Sequence, residues 1–304
     1  MTSNMTPGKQ VAAAFVTYNP DETLLRKALV SMTTQIGAVY VVDNGSDDAT
    51  AIADICAGLS CRFVPLGSNL GIAAAYNRAF DLAHDAGCAW VVTCDQDSIM
   101  PDGMVDKLFS AATEFERPDK LGIVCPNFVN RTTSRREYSY DTPTEIDKCI
   151  SSGSMTSVAA WEAVGGFDEA MFIDAVDFDF CYRLRDAGYT VLLVPNVCIE
   201  HEIGDVRVHR FLGHEFLVLN HSAFRKFYIA QNIVYVSGKY HGGHVQPVAY
   251  LKVLKQLFLV LLYENDKAEK LSSIMHGASR GRVLLLNRAG RRGARDEIAK
   301  EGQS

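Results

Sequence analysis

Over its first 125 residues this chain alternates short β-rich runs with helical patterns, and that alternation limits the fold more than any other feature. Residues 11–17 form an apolar run of buried-strand length. Asn19-Pro20-Asp21-Glu22 follows and reads as a helix start, with a capping Asn, a proline at the first helical position and an acid at N3. Leu24, Leu25, Ala28, Leu29 and Met32 continue it at helical spacing. Residues 38–42 are a second strand run ending in Asp43-Asn44-Gly45-Ser46, where Ser46 is placed to cap the next helix. A third run covers 62–66, an alanine-rich helix covers 71–86 and stops at Gly87, and a fourth run over 89–94 leads into Asp95-Gln96-Asp97. Residues 121–125 supply another strand. Strands alternating with crossover helices build an α/β fold, a mostly parallel sheet with helices on both faces.

In such sheets ligands bind at the carboxyl ends of the strands. The polar clusters Thr17-Tyr18-Asn19, Asp43-Asn44, Ser68-Asn69 and Asp95-Gln96-Asp97 all stand at those ends. Each alone could be a turn, since Asn, Asp, Gly and Ser are the usual turn residues. Four on one rim favour a site.

Composition narrows the class. With 304 residues, 48% apolar and 22% charged, the chain is an ordinary globular protein of one large domain or two small ones. A formal net charge of −6 argues against a nucleic-acid partner. The eight cysteines show no CxxC spacing and read as reduced core residues of a cytoplasmic protein. The N-terminal apolar run is too short for a secretory segment. Residues 248–263 are interrupted by Lys252 and Lys255 and fall short of the roughly 20 residues that span a bilayer.

Residues 126–150, with Arg131, Arg135 and Arg136, read as a long loop or a hairpin. Ser151 to Met155 leads into a helix from about 158, broken at Gly165-Gly166-Phe167-Asp168. Asp174, Asp177 and Asp179 open a second helix that runs to Ala187-Gly188. A last strand over 190–194 is closed by Pro195, and beyond about 210 the pattern is helical to the end. A DxD at a strand end suits a hard divalent cation, Mg2+ or Mn2+, which takes oxygen ligands and completes its shell with diphosphate oxygens. No GxxxxGK[ST] and no strand-GxGxxG-helix unit is present, so the phosphate cradles of P-loop and dinucleotide enzymes are missing.

The series TYNP (17–20), DNGS (43–46), NLGIAAAYNRAF (69–80), DQDS (95–98), GGFDE (165–169) and FIDAVDFDFCYRL (172–184) resembles the inverting family-2 glycosyltransferases of GT-A fold. Within them it is most similar to bacterial dTDP-L-rhamnose-dependent rhamnosyltransferases. The resemblance implies that Thr17, Tyr18, Asn19 and Asp43 meet the nucleotide, that Asn69, Gly71 and Asn77 form the next donor-binding segment, and that Asp95 faces the ribose or sugar. It makes Asp97 a metal ligand and His201 a helper at the metal or diphosphate, with a half-buried structural histidine as the alternative. Ser152, Gly153 and Ser154 resemble an acceptor-side loop, or are only a helix entry.

Inversion needs one carboxylate to take the acceptor proton, while a metal in place of a general acid stabilises the leaving diphosphate. Relatives commonly have Asp-Glu-Glu-Asp where this chain has Asp174-Ala175-Val176-Asp177, which narrows the base to Asp177 or Asp174. The alternative is capping, with Asp174 at N-cap and Asp177 at N3, one turn on and on the same face.

The implied organisation is a GT-A catalytic domain over 1–210, with a nucleotide-sugar half to about 125 and an acceptor half from 126, then a C-terminal helical region over 211–304. There Tyr250, Leu251, Leu254, Leu257, Phe258 and Leu261 form an apolar stripe, and Arg280, Arg282, Arg288, Arg291, Arg292 and Arg295 follow with no acid among them. Two readings stay open: packing on the catalytic domain or on a second copy, and docking on the inner face of the plasma membrane. The expected function is transfer of L-rhamnose from dTDP-β-L-rhamnose to a glycan or lipid-linked glycan. A UDP- or GDP-hexose donor is the nearest rival, and a silent sugar-nucleotide-binding subunit a remoter one.

Overall fold

The structure is a computed structural model that describes residues 10–130, 135–201, 206–211 and 214–301, with side chains at 10–129, 135–200 and 220–288. By its internal packing the chain divides into two units, one formed by residues up to Phe172 together with Val176–Glu202, the other by Ile173–Ala175 and the residues from Ile203 on.

In the first unit β1 (Val11–Thr17), α1 (Glu22–Thr33), β2 (Ala38–Asp43), α2 (Ala49–Gly58), β3 (Arg62–Pro65), α3 (Ile72–Asp85) and β4 (Trp90–Asp95) follow one another. They are continued by α4 (Met104–Glu114), β5 (Leu121–Asn130), β6 (Thr144–Ile146), β7 (Met155–Ser157), α5 (Val158–Ala163), α6 (Val176–Asp186) and β8 (Thr190–His201). The eight strands form one sheet in the order β3-β2-β1-β4-β7-β5-β8-β6. β3, β2, β1 and β4 are parallel neighbours, as are β5 and β8, whereas β7 and β6 run against theirs. Phe15, Val41, Val92, Val124, Met155 and Leu192 from the strands are buried with Leu25, Leu29 and Met32 of α1 and Met104 and Leu108 of α4. The switch point of this order lies between β1 and β4, so Thr17 and Asp95 end the two strands that flank it.

Several local expectations are overturned. Asp21, not Asn19, caps α1, accepting from the Leu24 amide at 2.9 Å; Pro20 lies before the helix, and Asn19 takes φ 45° in the preceding turn. Asp48, not Ser46, caps α2. Pro195 does not end β8: Pro126 pairs with Val194 and Asn127 with Cys198, so residues 195–197 bulge out of the ladder, where a missing N–H costs no bond. β5 likewise runs on past Cys125, and an isolated bridge joins Val129 to Arg136; Arg131 lies outside the described residues. Asp174, at φ 68°, lies before α6 and does not cap it, and Asp177 is the second residue of that helix. All eight cysteines are free thiols, six of them buried.

The second unit opens with an antiparallel hairpin, β9 (Val206–Phe211) and β10 (His214–Leu219), where a helix was expected beyond 210. Three helices follow, α7 (Ala223–Lys239), α8 (Pro247–Tyr263) and α9 (Lys267–Glu301). α7 and α9 approach closely because Gly277 and Gly281 face the α7 backbone, where an added Cβ would collide with the carbonyl oxygens of Phe227 and Gln231. Glu264 is buried between Lys226 at 2.6 Å and Lys270 at 3.1 Å. The face of α8 that packs inward is Ala249, Val253 and Val260; Leu251, Leu254, Phe258 and Leu261 of the expected apolar stripe are exposed instead. The smaller side chains let the helices close up, and the larger ones are left outside. The side chains of Arg291, Arg292 and Arg295 lie outside the described residues. Among the described residues no helix is long and apolar enough to cross a membrane.

Candidate active site at the carboxyl rim of the sheet

The rim is built by hydrogen bonds that join adjacent strand ends. Thr17, fully buried, donates from its hydroxyl to Asp43 at 3.1 Å, its parallel neighbour in register. The buried Asp43 carboxylate also accepts from the Ser46 amide at 3.0 Å and from its hydroxyl, so it organises the turn that follows β2. The Asn19 amide donates to the Ser46 hydroxyl at 2.8 Å, and the Asn19 side chain pairs with Asp47. The Tyr18 amide donates to Gln96 Oε1 at 2.9 Å, which ties the end of β1 to the end of β4, and the Tyr18 ring is 48% exposed. Tyr18 and Asn19 are thus the exposed members of this cluster, with Thr17 and Asp43 supporting them from within.

Asn69 accepts from Asn44 at 2.8 Å and from the Gly71 amide at 3.2 Å, fastening the loop that enters α3. Gly71, at φ 90°, abuts Phe172, and an added Cβ would lie 2.7 Å from its carbonyl oxygen. Asn77 holds the Gly165-Gly166-Phe167 turn: it donates to the Phe167 carbonyl and to Glu169, and accepts from the Trp161 indole and the Phe167 amide. All four of its hydrogen-bonding positions are taken by protein, which makes it a bracket for this turn.

The reversed strand β7 explains how the serine segment reaches the same rim. Because β7 is antiparallel to β4, the residues before it lie beside the residues that end β4. The Gly153 amide donates to the Thr93 carbonyl at 2.7 Å, the Thr93 amide donates to the Ser154 carbonyl at 3.0 Å, and Ser152 and Ser98 share a hydroxyl contact at 3.3 Å. Gly153 takes φ 69°, and a Cβ there would collide with Ile199. Ser154 is turned inward onto the Ile150 carbonyl, and the cap of α5 is Ser157 rather than any of these serines.

Asp97 is exposed and accepts no hydrogen bond from the described residues, and Asp95 is half-buried two residues earlier. Two hard oxygen donors at a strand end, one of them unengaged, fit a hard divalent cation that draws its remaining ligands from a bound diphosphate. Among the described residues no group of three or more His, Cys, Asp or Glu gathers into a full protein-only cage. β8 ends at His201, whose side chain lies outside the described residues.

Asp177 is the group whose environment is most suited to proton transfer. Burial pushes its carboxyl from 3.8 up to about 6, hydrogen bonds from the amides of Phe178, Ser151 and Asp177 itself pull the other way, and the Asp95 charge adds to the rise. A carboxylate titrating near neutrality can accept a proton and release it again. Asp174, in the second unit, is engaged otherwise: Arg225 holds its carboxylate at 2.8 and 3.1 Å, and Asn232 donates to its backbone carbonyl at 2.7 Å.

Sequence reasoning missed four residues here. Gln96 and Ser98 stood inside a motif read only for its acids. Ser151, through its amide, contacts the Asp177 carboxylate. Tyr76 is buried on α3, and burial together with the Asp95 charge holds its phenol well above the ordinary 10, with an interaction with Ser151 pulling the other way, so its hydroxyl stays neutral. Its place in an alanine-rich helix gave no signal beyond helical spacing.

Comparison with known proteins identifies the family. The family model described as glycosyl transferase family 2 matches residues 13–175. The chain is 30% identical over 249 residues to a dTDP-rhamnosyl transferase, RfbF, of Shigella flexneri, covering 76% of this chain and 81% of that protein. It is 30% identical over 227 residues to an N-acetylglucosaminyl-diphospho-decaprenol L-rhamnosyltransferase of Mycobacterium tuberculosis, covering 61% and 74%. Among solved structures, GalNAc-T7 with UDP, GalNAc and Mn2+ superposes with a TM-score of 0.53 at 12% identity, and residues 1–349 of S. aureus TarS with 0.52 at 13%. Each match covers 88% of this chain, with 54% of the first structure and 71% of the second. At that identity they show the α/β fold alone. With a family model spanning more than half of its length and the Shigella relative aligned over most of both chains, this chain belongs to glycosyl transferase family 2.

Proposed function

We propose that this glycosyltransferase moves L-rhamnose from dTDP-β-L-rhamnose to a hydroxyl of a growing surface glycan, carried on a lipid or free, with inversion. The observation that carries the chemistry is Asp177, a half-buried carboxylate with a pKa of about 6, electrostatically coupled to Asp95 of the DQD. The names of the Shigella and Mycobacterium relatives support the donor. Free thiols throughout support a reducing, cytoplasmic place of action.

In this mechanism the exposed Tyr18 and Asn19 line the nucleotide, on the footing that Thr17, Asp43 and Ser46 provide. The acceptor side is assigned to the loop of Ser152, which contacts the Ser98 hydroxyl beside the end of β4. Asp177 takes the proton from the acceptor hydroxyl as that oxygen bonds to the anomeric carbon and the bond from that carbon to the diphosphate breaks, releasing dTDP. Asp97, with Asp95 beside it, would hold a divalent cation, which supplies neutralisation of the charge that develops on the leaving diphosphate. Asp174 is left to its pairing with Arg225.

The test is a panel of nucleotide sugars measured for binding and for slow hydrolysis without acceptor. dTDP-L-rhamnose should lead it. Preference for a UDP- or GDP-sugar would overturn the donor assignment.

A further inference from the structure

We propose that the outward face of α8, with the adjoining side of α9, docks on an anionic phospholipid surface. Val248, Leu251, Leu254, Phe258 and Leu261 recur at helical spacing along one side of α8, and each is more than half exposed, Leu251 reaching 63%. Packing within the second unit uses the opposite side. Arg282 joins the two helices, donating to the Tyr250 hydroxyl at 2.8 Å and lying over its ring at 5.1 Å. Met275 and Leu286 stand seven residues before and four after Arg282 on α9, hence on the same helical side, and are 57% and 72% exposed. They extend the apolar face beside α8.

Charge selects the occupant. No Asp or Glu occurs from Pro247 to Tyr263, or from Lys270 to Arg295. Lys252, Lys255 and Arg282 are exposed on this part of the unit, and none has an acidic partner among the described residues. An apolar face flanked along α8 and α9 by Lys252, Lys255 and Arg282, with the exposed acids Asp266 and Glu269 confined to the turn between the helices and the first turn of α9, is complementary to the headgroup boundary of an anionic bilayer. A second copy meeting it across a two-fold axis would bring the same cations together. Because no helix here is long and apolar enough to cross a membrane among the described residues, the contact is peripheral. It holds whatever donor the active site takes.

The test is cosedimentation of the full chain with vesicles of phosphatidylglycerol and phosphatidylcholine, and of phosphatidylcholine alone, at low and high salt. Binding should require phosphatidylglycerol and fall steeply with salt. Lys252→Ala/Lys255→Ala should weaken it roughly twenty-five-fold, about fivefold for each lysine near an anionic surface. Leu254→Ser/Phe258→Ser should lower it more than tenfold with melting temperature unchanged, since both side chains are exposed. Three results would overturn the proposal: no binding to anionic vesicles at low salt, a sharp loss of melting temperature in the serine variant, or a soluble dimer that this variant dissociates while vesicle binding is absent.

Discussion

Replacing Asp177 by Asn should make the protein more stable at neutral pH while removing its activity. The native carboxyl titrates at about 6 against an ordinary 3.8, because the folded environment disfavours the charged form. A folded pKa above the unfolded one means the native state holds its proton longer, so the charge costs stability as pH rises from about 4 to 6 and the full cost remains above 6. Below about 4 both states are protonated and the cost vanishes. At 1.36 kcal/mol per pKa unit the displacement corresponds to about 3 kcal/mol. With about 2.1 cal/mol/K of unfolding entropy per residue over 304 residues, that is roughly 5 °C in melting temperature. Asn is neutral throughout, so Asp177→Asn should melt higher than wild type by about that amount at pH 7.5 and by only about 1 °C at pH 4. Acceptor-dependent turnover should fall roughly a hundredfold or more, and the acid limb of the wild-type kcat/KM profile should have its midpoint near 6. Thermal scans at the two pH values, with turnover on the same samples, make the check. A loss of about 1 kcal/mol at pH 7.5 with turnover intact would show a helix-end residue and refute the reasoning.

Three further outcomes follow from neighbouring residues. Asp174→Asn should leave turnover within about tenfold of wild type and cost at most about 1 kcal/mol, since it weakens a partly exposed pair with Arg225, as kinetics and thermal melts on this variant would show. Asp97→Asn should weaken metal-dependent donor binding in titration calorimetry and sharply reduce turnover, and excess EDTA should do the same to wild type, because diphosphate then faces Asp95 and Asp97 unrelieved. Gly153→Ala should destabilise by roughly 2 kcal/mol or more in denaturant melts, from a positive φ and a collision with Ile199, with partial rescue by Ile199→Ala.

The features legible in the sequence were those written in a continuous local pattern. β1, β2, β4 and α3 announce themselves by apolar runs and spacing, and their polar ends by turn-forming residues. What stayed hidden depends on partners far along the chain. β7 is three residues long and gains its meaning only from pairing with β4, so the route by which Ser151 and Ser152 reach the rim cannot be inferred from spacing. Pro195 looks like a stop, yet a bulge opposite Pro126 absorbs it. Asn19 and Asp21 are both good caps, and the tie between Asn19 and Asp47 decides between them. The apolar stripe of α8 was legible, but which side faces inward was decided by Ala249 and Val253, whose small size suits the close approach. Asp174 and Asp177 are equal candidates by type, and Arg225, fifty-one residues on, separates them.

The most direct measurement is the anomeric configuration of the sugar first released when dTDP-β-L-rhamnose is turned over slowly with water in place of the acceptor, followed by NMR before mutarotation. A single displacement assisted by Asp177 yields α-L-rhamnose, and Asp177→Asn should suppress its release. First-formed β-L-rhamnose would contradict inversion and, with it, the assignment of one carboxylate base.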